Sequence, residues 1–73
     1  MVNVNKQTFD VNSRHVMSVN FNGTSGLCDV VVSEKLSDRT FIKSMMLNQY
    51  NQLVDWLREN DHGFAMNSIR TYF

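Results

Sequence analysis

Apolar and polar residues alternate along much of this chain before residue 47. Val2 and Val4 alternate with Asn3 and Asn5, and Phe9 and Val11 alternate with Asp10 and Asn12. A period of two sends successive side chains to opposite faces and predicts half-buried strands. Lys6-Gln7 interrupts the first run. Phe9–Val11 is therefore the firmer strand, and residues 1–5 read as an edge strand or a fraying terminus. In residues 14–21, RHVMSVNF, His15, Met17, Val19 and Phe21 share a face. NGTSG follows, then LCDVVVS over residues 27–33, with Cys28, Val30 and Val32 on one face. Two alternating runs joined by an Asn-Gly-containing loop predict a hairpin, with Gly23 and Gly26 supplying positive φ. Lys35-Leu36-Ser37-Asp38 reads as a second turn, and RTFIKSMM over residues 39–46 as a third strand of the meander. Phe41 and Ile42 must point to opposite faces. Val31, Val16 and one of that pair cannot all lie under a helix, so apolar groups stand on both sides of the sheet. Antiparallel sheets often leave one face to solvent, and this second set is the first sign of a contact surface.

The pattern changes at residue 47. Tyr50, Leu53, Val54 and Leu57 fall at i, i+3, i+4 and i+7, one stripe of a helix, which Met46 or Leu47 can extend. Asn48 is a suitable N-cap and Gly63 a natural stop, so the helix is expected over residues 48–60. Trp56 sits on the shoulder of the stripe. His62 suits the negative end of the helix dipole. The last ten residues, FAMNSIRTYF, fit two patterns. Ala65, Met66, Ile69, Tyr72 and Phe73 make a second helical face, while Ile69–Phe73 has strong strand propensity. The strand is favoured, with Asn67-Ser68 as a bulge. The expected fold is α+β: an antiparallel meander of three to five strands, one helix across a face, and a final strand, all in a single domain over residues 1–73.

Seventy-three residues build one small core and leave little room for a deep, well-supported catalytic cleft. Seven basic residues balance seven acidic ones, which gives no footprint for duplex nucleic acid. Lys35, Arg39 and Lys43 lie close in sequence with Glu34 and Asp38 among them, a mixed-charge strand edge. Cys28 is the only cysteine, so no internal disulfide forms. No signal-like stretch opens the chain and no run reaches the roughly 18 apolar residues of a membrane span. These features point to the cytoplasm. The chain has no proline and is rich in asparagine.

Candidate chemistry is thin. The GTSG loop precedes a strand, whereas a phosphate-binding loop precedes a helix. Cys28 and His15 fall on adjacent strands, but Asp29 faces away and cannot orient the pair; a buried cysteine more often serves as a small apolar residue. No metal-ligand spacing is present, no cofactor motif is found, and Asp55 and Glu59 read as a solvated helix face. The expectation is a protein that is not an enzyme. Aromatic residues are numerous for this size, and those outside the core can anchor an interface. Trp56 and Tyr72 are the preferred anchors, because Trp and Tyr tolerate half-burial. Phe41, Arg39 and Lys43 complete the expected contact set.

A strand meander, a helix ending LRENDHGF and a short IRTYF ending resemble the layout of small phage-encoded inhibitors, of the anti-CRISPR and host RNA-polymerase-inhibitor kinds. That resemblance implies steric occlusion of a host protein or nucleoprotein complex in the host cytoplasm. Lys43-Ser44-Met45-Met46-Leu47-Asn48, running into Tyr50 to Trp56, is similar to the strand-to-helix junction of the transcriptional-coactivator (Whirly-like) fold. That second resemblance implies single-stranded nucleic acid on the open sheet face and a homodimer formed through the helix.

Overall fold

The computed structural model describes residues 5–73. The expectation of an edge strand or a fraying terminus over residues 1–5 lies outside them except at Asn5, which opens the first strand. Four strands, β1 (Asn5–Asp10), β2 (His15–Phe21), β3 (Leu27–Glu34) and β4 (Thr40–Met46), form one antiparallel sheet in the order β1-β2-β3-β4. Two helices follow, α1 (Leu47–Glu59) and α2 (Ala65–Tyr72). The meander and the helix across one face are as the alternation predicts. Lys6 and Gln7 do not interrupt β1; both pair with β2, opposite Asn20 and Val19.

Register explains the core. Phe9, Met17, Val32 and Phe41 lie opposite one another across the four strands, as do Val19, Val30 and Lys43 across three. Met17, Val19, Val30 and Val32 are fully buried on this side. Above them lie Tyr50, Leu53, Val54 and Leu57 of α1, all buried, and Ala65, Met66 and Ile69 of α2. Full burial of a side chain such as Leu53 or Leu57 stabilises by roughly 1.5–3 kcal/mol, so these are the main anchors of the helix layer.

The expected last strand is a helix. Ala65, Met66 and Ile69 bury together only if the backbone turns at the helical period. A strand would send Ala65 and Met66 to opposite faces. Packing thus overrides the strand propensity of Ile-Arg-Thr-Tyr-Phe, which is context-dependent.

Three boundaries also differ from the sequence pattern. β4 runs into α1 without a loop, so the N-cap is Met46 rather than Asn48. The Gln49 side chain folds back to accept the Met46 N–H at 3.3 Å. In the β2–β3 loop only Gly26 has positive φ (+71°), not Gly23. Asn22 Oδ1 organises that turn by accepting the N–H groups of Thr24 (2.9 Å) and Ser25 (3.2 Å). Gly63 does not terminate α1 in the left-handed region. Two asparagine side chains cap the last carbonyls instead: Asn60 Nδ2 donates to Trp56 O and Asn12 Nδ2 donates to Leu57 O, each at 2.8 Å.

Asn12 does more than cap. Its Oδ1 accepts the backbone N–H groups of Arg14 (2.9 Å) and His15 (2.8 Å) and lies 2.9 Å from His15 Nδ1. One amide therefore fastens the β1–β2 turn, the start of β2 and the end of α1. Asn12→Ala strands several part-buried groups and is expected to cost about 2–3 kcal/mol. Asn20→Ala, on the opposite sheet face, should stay within about 0.5 kcal/mol. Urea unfolding with an unchanged m-value checks both.

Candidate functional site

Strand parity divides the expected contact residues. Phe41, Lys43 and Met45 share the helix-facing side of β4, with Arg39 just before it reaching Asn67 of α2, while Thr40, Ile42, Ser44 and Met46 share the other. Phe41 is a core residue, 9% exposed, and does not stand on the surface as expected for a contact. Trp56 is half-buried and packs edge-on against Phe73, with ring centroids 6.4 Å apart, so it closes the core rather than standing free. Arg39 donates to Asn67 Oδ1 and sits 3.6 Å from Glu34 Oε1. Lys43 donates to the main-chain oxygen of Phe73. Arg39 and Lys43 thus bind α2 to β4. Tyr72 is the one expected anchor that is openly exposed, at 71%. It shares a shallow groove of about 130 Å³ with Lys43, Met45, Gln49, Gln52 and Phe73.

The register adds residues that the sequence pattern assigned elsewhere. Ile42, not Phe41, is the apolar residue on the second face, 74% exposed. Met46 and Leu47 do not extend the buried helix stripe; both are more than half exposed. Their signal was parity: in β4, Met46 falls in step with Ile42 and out of step with Phe41 and Met45. Val31 lies directly across from Ile42 and Leu27 across from Met46, so an apolar strip runs along this margin of the open face. Between them Ser44 Oγ donates to Asp29 Oδ1 at 2.6 Å.

β4 is also an edge strand. The Glu34 N–H donates to Arg39 O at 3.1 Å, which makes Glu34–Arg39 a hydrogen-bonded pair. By antiparallel alternation, Thr40, Ile42 and Ser44 then turn their backbone N–H and C=O groups away from the sheet. Arg70 takes one of these, donating to Thr40 O at 3.2 Å. The opposite edge, β1, carries Lys6, Thr8 and Asp10 on its open side, none of them apolar.

The far end of the sheet holds a second concavity. The β1–β2 and β3–β4 turns and the α1–α2 loop surround about 200 Å³ lined by Ser13, Arg14, His15, Glu34, Lys35, Leu36, His62 and Gly63. His15 is buried there, 1% exposed. Asn12 Oδ1 already accepts two backbone N–H groups, so His15 Nδ1 carries the proton and donates to it. Asp61 accepts from Ser13 and sits 3.8 Å from Arg14, which ties the α1–α2 loop to the β1–β2 turn. The Ser13 hydrogen bond holds the Asp61 carboxyl below its usual range. His15 and Cys28 do not meet. His15 pairs with Glu34 and Cys28 with Phe21, six positions further along β2, about 20 Å away. Burial pushes the Cys28 thiol up, toward its protonated form. Among the described residues no group of three or more His, Cys, Asp or Glu side chains is placed to hold a metal ion. No helix among them is long and apolar enough to cross a membrane.

Among the described residues, fold and surface together define a small α+β unit whose β4 edge is apolar and pairs with no further strand. No protein-family model, curated protein or solved structure matches the chain.

Burial lowers the His15 pKa below 6.5, with the Glu34 carboxylate opposing. The unfolded chain therefore takes up this proton first as pH falls. The stability contributed by neutral His15 is complete above about pH 6.5 and is lost as pH drops toward its lower folded value. His15→Asn, which keeps a donor near Nδ1, should flatten the fall in urea midpoint between about pH 6.5 and pH 5. The Asp61 contribution runs the same way in a lower window, below 3.8, and should persist in that variant.

Proposed function

We propose that this chain is a non-catalytic binding protein that occupies a surface of a macromolecular complex and blocks or modulates it. The surface is the β4 margin: the free strand edge, Ile42 and Met46 on its open side, Leu47 at the start of α1, and Tyr72 beside it on α2. One observation carries the reading. Large apolar side chains at 53–74% exposure gather along a strand edge whose outward backbone groups, the Thr40 carbonyl apart, have no partner among the described residues, where soluble proteins ordinarily place charge or cover. Small phage-encoded inhibitors of host machinery work by this kind of occlusion, and the same reading makes the partner a host protein or nucleoprotein complex in the host cytoplasm.

The second reading, single-stranded nucleic acid on the open sheet face, has less support. Within its paired rungs that face presents Lys6 against Asp10 and Asp29, with hydroxyls and aliphatic groups and no aromatic ring. Base stacking and phosphate neutralisation both lack side chains there.

Tagged protein mixed with bacterial lysate tests the reading. The expected outcome is a stoichiometric protein complex that survives nuclease and about 0.5 M salt, conditions that dissociate phosphate-driven binding. Ile42→Asp should abolish capture, while Glu59→Gln on the outer face of α1 should not. Capture that disappears with nuclease, or that ignores Ile42→Asp, sinks the proposal.

A further inference from the structure

The geometry points to the mode of docking and the chemistry of the partner: we infer that β4 accepts an extended, acidic peptide segment as a fifth strand. This rests on the β4 margin being the binding surface. Added strands gain main-chain hydrogen bonds from an exposed edge and specificity from alternate side chains. β4 offers both. The outward N–H and C=O groups of Ile42 and Ser44 face no neighbouring strand among the described residues. Among the described residues only the Thr40 carbonyl is taken, by Arg70.

Charge selects the occupant. No Asp or Glu occurs between Arg39 and Val54, or between His62 and Phe73. The helix side of this edge therefore carries Arg39, Lys43 and Arg70, with Glu34 beside Arg39 as the nearby acid. The open side carries Ile42 and Met46. Asp29 lies next along it, bonded to Ser44. Strand side chains alternate between the two sides whichever way the strand runs. The complementary segment thus alternates acidic residues, set toward Lys43 and Arg70, with apolar residues set toward Ile42. Lysine on an edge commonly deters strand addition. Here Lys43 is drawn back to the Phe73 main-chain oxygen, leaving the edge backbone open and the charge in place to select an acidic partner.

The test is amide hydrogen exchange by NMR on the folded chain, with a short peptide alternating glutamate with valine. Controls are the lysine–valine counterpart, a block-sequence peptide of the same composition, and oligothymidylate. The expected result is saturable slowing, by about tenfold, at the Ile42 and Ser44 N–H groups with the alternating acidic peptide alone. Ile42→Pro removes one outward N–H while leaving the β3 ladder intact, as edge prolines do. It should abolish the effect while the spectrum stays folded. Lys43→Glu should turn the preference toward the lysine peptide. Equal protection by both alternating peptides, protection on β1 instead, or no protection would overturn strand addition. Protection of the same groups by oligothymidylate would overturn the peptide partner in favour of nucleic acid. Should the peptide fail while Ile42→Asp still abolishes lysate capture, strand addition falls and the binding surface stands. Should Ile42→Asp leave capture intact, the surface itself is wrong.

Discussion

The Asn12 side chain holds the two layers of this domain in place. Its amide accepts from the β1–β2 turn and from His15, and donates to the end of α1. The two halves of the amide face different layers, so α1 can neither slide along the sheet nor turn on its axis without breaking a bond. A core this small supplies limited hydrophobic stabilisation, and a directional bond between layers sets the register that apolar packing alone leaves loose. The ties between Ser13, Arg14 and Asp61 reinforce the same end.

With α1 fixed there, α2 has one place to go. The chain turns at residues 60–64 and lays Ala65, Met66 and Ile69 onto the remaining core, beside β4. Arg39, Lys43 and Arg70 then fasten α2 to the last strand. Both helices lie on one side of a four-stranded sheet, which leaves the other face and the outer edges of β1 and β4 without a covering element among the described residues. β1 presents polar and charged groups at its margin. β4 presents Ile42 and Met46. This asymmetry leaves β4 the apolar one of the two sheet margins, and it follows from where the helices ran out rather than from any single motif.

The strands and α1 were legible in the sequence because their signals are local. Alternation over Arg14–Phe21 and residues 27–33 fixes which side chains share a face, and the Tyr50–Leu57 stripe fixes the buried side of α1. The placement of the expected contact residues was legible only in part. Tyr72 was found as an exposed aromatic, and the second apolar face was foreseen through Val16 and Val31. Trp56 was favoured because tryptophan tolerates half-burial, and Phe41 completed the expected set; parity puts Phe41 in the core, and half-buried Trp56 packs against Phe73. Arg39 and Lys43 lie at the margin, but as ties to α2. Asn12 gave no signal, since an asparagine in a turn is commonplace and its partner is 45 residues away.

By itself, then, the sequence determined the meander, the helical stripe and which strand residues share a face. Each depends on the spacing of neighbours along the chain, which periodicity records directly. Tertiary structure alone decided the state of residues 65–72, the cap at Met46, the closing of α1 by Asn12 and Asn60, and the exposure of the β4 margin. Each of these turns on which surface remains unburied after the rest has packed. That is a property of the assembled layers, and no local pattern of residues carries it.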